Sequence, residues 1–156
     1  MKATALLKQQ HKEVSALFKE AEGSADGRTR RRLMQDIAKH LEVHTTIEEE
    51  IFYPALEEAA TQEKTCDMLR EAFEEHHVVK LVLAELPTVD PAADTFKAKM
   101  VVLKELVEHH VEEEHDEMFP WAEKHLEKDD LDALGARMEE RAASLLGEAP
   151  KARKRA

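Results

Sequence analysis

Eleven residues near the middle of the chain, His44-Thr45-Thr46-Ile47-Glu48-Glu49-Glu50-Ile51-Phe52-Tyr53-Pro54, return 66 positions later as His110-Val111-Glu112-Glu113-Glu114-His115-Asp116-Glu117-Met118-Phe119-Pro120. His44 lies over His110, Glu48 over Glu114, Phe52 over Met118 and Pro54 over Pro120. In each copy the His and the Glu are four residues apart, which on an α-helix sets both side chains on one face about one turn apart. Both can then reach a common point. Imidazole nitrogen with carboxylate oxygen suits iron, manganese or zinc rather than a soft thiolate metal.

The duplication also sorts the nine histidines. Upstream of each copy, His11 followed by Val14, Leu17 and Phe18 lies over His76 followed by Val79, Val82 and Leu83, at an offset of 65. Ligand-type residues therefore coincide at three pairs of positions: His11 with His76, His44 with His110, and Glu48 with Glu114. His40, His77, His109, His115 and His125 fall on Leu106, Lys12, Val43, Glu49 and Ala59, and are expected at the surface or beside the ligands. His77 and His109, each next to a ligand, are placed to shuttle protons. Four imidazoles and two carboxylates are too many for one tetrahedral zinc but suit two metals in a bundle core. Each metal can take two histidines and share both glutamates as bridges, leaving positions for an oxo or hydroxo bridge and for a small molecule. Buried without cations, such a set is costly.

The rest of the chain supplies helices to carry these residues. At 156 residues, 42% hydrophobic and 37% charged, with four Gly and five Pro, it reads as one helical domain. Apolar spacings of three and four predict helices over about 4–21, 28–60, 62–86, 92–127 and 130–146. Thr4 is expected to cap the first, and Pro54 and Pro120 to kink the second and fourth. Leu33, Ile37, Leu41, His44, Glu48 and Ile51 share one stripe, as do Phe96, Met100, Leu103, Val107, His110 and Glu114. Short connections favour antiparallel neighbours. The expectation is an all-α, up-down-up-down four-helix bundle with a short fifth helix over residues 1–147, and a basic, disordered tail over 148–156.

Composition excludes several roles. A formal charge of −11 argues against nucleic acid, whose binders need a basic face. No stretch reaches the ~20 apolar residues of a membrane helix, and Met1-Lys2-Ala3-Thr4 opens into a charged amphipathic pattern, so a cytoplasmic location is expected. A single cysteine, Cys66, agrees with a reducing compartment. Oligomeric state is not legible.

Through His11, His44-x-x-x-Glu48 with the following Glu-Glu-Ile-Phe-Tyr-Pro, His76, and His110-x-x-x-Glu114 with Met-Phe-Pro, the chain resembles the hemerythrin-like, HHE cation-binding family over about residues 4–126. The resemblance implies two non-haem irons (Fe2+/Fe3+), oxo- or hydroxo-bridged, held by His11, His44, Glu48, His76, His110 and Glu114. Dioxygen, peroxide or nitric oxide is the implied small-molecule partner. Oxygen-carrying hemerythrins have His-x-x-x-His on the third helix, but Ala72 and Lys80 flank His76 at those distances. One imidazole fewer favours reaction at the metal, with peroxide-decomposing (catalase-like) or nitric-oxide-reacting activity, over reversible carriage. Storage or buffering of iron or another divalent metal, oxygen sensing or carriage without catalysis, and a purely structural site are the alternatives. Tyr53 is expected as a buried ring with a hydrogen-bonded hydroxyl, with metal ligation as the second possibility. Glu49, Glu50, Glu112, Glu113 and Glu117 are expected to form a solvated acidic face.

Overall fold

A computed structural model describes residues 1–148, and the basic end from residue 149 onward lies outside the described residues. Among the described residues the chain is helical with no strand. Helix α1 spans Ala3–Glu22 and α2 spans Gly27–Ile47, which continues through a π-helical turn, Glu48–Phe52, into α3, Tyr53–Ala59. Helix α4 spans Glu63–Glu85. The fourth rod repeats the second, as α5, Asp94–Glu113, a π turn at Glu114–Met118, and α6, Phe119–His125. Helix α7, Lys128–Leu145, lies across α1 and α2.

Local chemistry explains most of the boundaries. Asp26 caps α2, accepting from the Arg28 N–H at 3.2 Å and the Thr29 hydroxyl at 3.0 Å. Arg30 donates to the Ser24 and Pro91 carbonyls and so ties the two inter-helix turns at one end of the bundle. Helix α7 ends where Gly147 takes a φ of 72°, with the Glu148 N–H reaching back to the Ala143 carbonyl at 2.9 Å. Thr4 is not the cap of α1. It sits inside the first turn, and its hydroxyl donates to Glu123 of α6 at 2.8 Å, fastening the two rods together.

At Pro54 and Pro120 the α-helical ladder is interrupted, and the interruption takes a defined form. Proline has no N–H to offer the preceding turn, and the chain widens by one residue just before it. The Tyr53 N–H bonds the Glu48 carbonyl and the Phe119 N–H bonds the Glu114 carbonyl, each five residues back. Each π turn thus starts on a glutamate of the repeat and brings the residue five positions on to the same side.

Buried apolar side chains form two clusters. One contains Leu7, Ile47, Phe52, Leu56, Leu69, Ala72, Met118 and Phe119 with Leu131 and Met138 of α7. The other contains Val14, Phe18, Ile37, Leu41, Val79, Phe96, Leu103 and Val107. Along α1 and α4 the chain passes from the first cluster to the second, and along the other two rods it passes back. The four rods therefore run up-down-up-down, and each crosses a single polar level between the clusters.

Candidate metal centre

That level holds all six residues singled out by the repeat. His11 comes from α1, His44 from the last turn of α2, His76 from α4 and His110 from the end of α5, while Glu48 and Glu114 open the two π turns. None is more than 6% exposed, and Glu48 is fully buried. Two groups result, His11, His44, Glu48 and Glu114 on one side and Glu48, His76 and His110 on the other, with the ligand atoms of each within 4.8 Å of one another. Glu48 belongs to both: its Oε1 is 3.0 Å from His44 Nε2 and its Oε2 is 3.0 Å from His76 Nε2. Glu114 Oε1 lies 3.2 Å from His11 Nε2 and 3.3 Å from His110 Nε2. The first pair of imidazoles comes wholly from the first repeat and the second pair wholly from the second.

Three of the four far ring nitrogens are held from outside, and the fourth, His76 Nδ1, has a carboxylate beside it but no hydrogen bond. His44 Nδ1–H donates to Gln10 Oε1 at 2.6 Å, and His110 Nδ1–H to Glu75 Oε1 at 2.8 Å. His11 Nδ1 is 2.9 Å from His115 Nε2, and His76 Nδ1 is 3.6 Å from Glu49 Oε2, whose carboxylate also binds Lys80 at 2.6 Å. These four supports obey the repeat as well. Gln10 and Glu75 each precede a ligand histidine; Glu49 and His115 each follow a ligand glutamate. The expectation of a solvated acidic face fails at Glu49, which is 22% exposed and turned toward His76, and Glu50 is engaged by Arg141 in a two-pronged pair.

The supports fix what the centre presents. Acceptors at Gln10 and Glu75 keep the proton of a neutral ring on Nδ1, so Nε2 carries a bare lone pair. His11 Nε2 and His44 Nε2 lie 3.1 Å apart, and His76 Nε2 and His110 Nε2 lie 3.0 Å apart. Glu48 Oε1 and Glu114 Oε1, both buried, have no hydrogen-bond donor aligned on them. Lone pairs and anions converging at these distances require cations between them, protons or metal ions. With protons alone, burial works against a charged His76, yet Glu48 and Glu49 push its pKa up to about 9. Burial likewise opposes a charged His110, but Glu114, Glu75 and Glu48 together outweigh it and raise its pKa. Burial would raise Glu48, but His44 and His76 hold it well below the usual carboxylate range. A donor set of this chemistry fits a multiply charged cation.

Tyr53 completes one side. Its ring is buried and its hydroxyl lies 3.1 Å from Glu48 Oε2 and 3.2 Å from Glu114 Oε2, His76 Nε2 and His110 Nε2. Burial, reinforced by the two glutamates, keeps the phenol protonated well above its ordinary range. At the same position of the second repeat, Phe119 stacks on His11 with ring centres 5.8 Å apart. A cavity of about 20 Å3 touches all four imidazoles and is otherwise walled mainly by Val14, Leu41, Val79, Val107 and Val111. A cleft of about 320 Å3 between α1 and α5 leads in past His115 to His11, and one of about 260 Å3, lined by Glu71, Glu75, Glu113 and Glu117, leads to His110.

The other histidines are outside. His77 and His125 are exposed, and His40 bonds Glu13 at 2.9 Å. His109 pairs with Glu113 at 3.0 Å and reaches Glu75 at 3.5 Å, so it touches a support and no ligand. His115 alone among the five touches a ligand.

Fold and centre together define a helical bundle that gathers buried imidazoles and carboxylates around positions for cations. The chain belongs to the hemerythrin HHE cation binding domain family, whose model matches residues 2–122. The crystal structure of a hemerythrin HHE cation binding domain-containing protein from Mycobacterium kansasii superposes with a TM-score of 0.81 at 26% identity, covering 94% of this chain and 88% of that one. A protein of Nostoc described as a DNA nickase is 27% identical over 114 residues, 73% of this chain; the match spans 31% of that longer protein. No helix among the described residues is long and apolar enough to cross a membrane.

Proposed function

We propose that the chain is a non-haem di-iron protein whose centre, His11, His44, Glu48, His76, His110 and Glu114, binds dioxygen or reacts with small oxidants such as peroxide or nitric oxide. The observation that carries the reading is the cavity of about 20 Å3 against all four imidazoles. It exceeds the ~10–15 Å3 that one water needs and is too small for an organic substrate. Apart from the four imidazoles and Thr45 its walls are valine and leucine, which suit a small, weakly polar guest. Nitrogen and oxygen donors fit iron, and Glu48, shared by both groups, fits two ions side by side. Held by these six residues, two irons would supply redox chemistry, one electron from each ion.

The protein's own groups do the remainder. Gln10, Glu75 and His115 fix the orientation of His44, His110 and His11. The Tyr53 hydroxyl holds a proton between Glu48 and Glu114, close to the second pair of imidazoles. Val14, Leu41, Val79 and Val107 keep bulk water from the cavity. The net charge of −11 weighs against a DNA-directed role, since phosphate binding calls for a positive surface.

Elemental analysis with absorption spectra before and after peroxide tests the reading. About two irons per chain and a metal band that changes and then recovers as peroxide disappears is the expected result; two irons with an inert spectrum would point to storage instead. His44→Ala or His110→Ala should lower metal content sharply, while His40→Ala and His125→Ala should leave it unchanged.

A further inference from the structure

The four supports differ in charge between the two sides of the centre. On the His11/His44 side neither support is a carboxylate: they are the Gln10 amide and the His115 imidazole. Lys8 adds a positive charge nearby, its ammonium 5.8 Å from the centre of the Phe119 ring that stacks on His11. On the His76/His110 side the corresponding residues are both carboxylates, Glu75 bonded to His110 at 2.8 Å and Glu49 3.6 Å from His76 Nδ1. Lys80 offsets part of the Glu49 charge, whereas the partners of Glu75 are His110, the exposed His109 and a shared hydrogen bond with Glu113, with no lysine or arginine among those bonds. Glu75 therefore carries most of the difference.

An acceptor carboxylate on Nδ1–H pushes electron density onto Nε2 and makes the imidazole a stronger donor than an amide or a second ring does. The acidic cleft of about 260 Å3 also opens on His110 and so gathers cations on this side.

We infer that the two metal positions are unequal and fill in order: the His76/His110 position, backed by Glu75 and Glu49, takes the first equivalent, and the His11/His44 position, backed by Gln10 and His115, takes the second. This rests on the metal-binding reading above and adds to it a partition of the centre by the residues behind the ligands. Gln10 and Glu75 occupy the same place in the two repeats, one before each α1 or α4 ligand, so the order is set by an amide in one copy and an acid in the other.

Anaerobic titration of the metal-free full chain with Co2+, followed by its visible absorption, reads the steps directly. Two steps are expected in the parent protein, at least about ten-fold apart, from the 10- to 100-fold worth of such supporting bonds. His110→Ala should abolish the tight step and leave the weak one, and His44→Ala the reverse. Glu75→Gln should weaken the tight step about 10- to 100-fold, and Gln10→Glu should strengthen the weak one. Because Gln10→Glu is a gain, it remains informative if Glu75→Gln folds poorly, and circular dichroism checks helicity in each case. Two equal steps in the parent, or loss of the tight step in His44→Ala, would overturn the order while leaving metal binding intact. No bound Co2+ at all would overturn the metal reading itself.

Discussion

The two repeats build their ligands alike and their surroundings differently. Each supplies a histidine, a second histidine on the next rod and a glutamate at the mouth of a π turn. Five residues past that glutamate, the first repeat places Tyr53 and the second Phe119. One side of the centre gains a hydroxyl among four polar atoms, and the other gains a ring stacked on His11. A duplicated backbone thus holds a symmetric donor set, while the residues one step behind are free to make its halves chemically distinct.

The largest test of that comparison is Glu48→Ala. Glu48 faces both pairs of imidazoles, so its loss should take metal from both positions, bringing content by elemental analysis close to zero. A protein that kept one full equivalent would show that the halves are independent and that Glu48 does not join them.

A smaller effect should appear with pH in the metal-free protein. His76 titrates at about 9 in the fold against 6.5 in the unfolded chain. A pKa raised on folding stabilises fully below 6.5, where both states carry the proton, and that stability drains away as pH rises through 9. The difference is on the order of 3 kcal/mol. Chemical denaturation at pH 6 and pH 9.5 should show the fall, and Glu49→Gln, which removes one of the carboxylates raising His76, should shrink it. Metal uptake at pH 7 should for the same reason release protons, measurable from binding heats in two buffers.

The smallest effect comes from exchanging the two aromatic residues. Tyr53→Phe leaves buried carboxylate oxygens without their phenolic donor and should cost about 1–3 kcal/mol in the metal-free protein. Phe119→Tyr adds a hydroxyl to a filled space and should cost a similar ~1–3 kcal/mol by overpacking. Thermal melts of both would decide whether the hydroxyl matters by position or only by presence. Equal stability of Tyr53→Phe and the parent would mean that the phenol satisfies nothing.

What the sequence revealed and concealed follows the same division. The six converging residues were legible because the repeat preserves their type as well as their spacing. Gln10, Glu75, Glu49 and His115 keep the spacing but not the type, so a filter that asked for matching ligands passed over them; a search of the positions beside each ligand would have found all four. The prolines announced an interruption in two long helices. That it would be a π turn, aiming Tyr53 and Phe119 inward, depends on which carbonyl the preceding N–H selects, and composition does not encode that. Thr4 looked like a cap because its hydroxyl is suited to one, but Glu123, 119 residues away, offered it a partner.

The placement of the polar level between two apolar clusters has a consequence for how the molecule opens. Every long rod contributes to both clusters and crosses the level once, so no single oily core spans the bundle. One cluster is sealed by α7, with Gly135 packed so tightly on the first residues that a Cβ there would strike the Met1 carbonyl. The other ends at the prolines of the 86–93 connection. In amide-exchange terms these are two cooperative units sharing one seam: with the seam empty of metal, the unit without α7 exchanges first, and ions seated in the seam make both exchange as one.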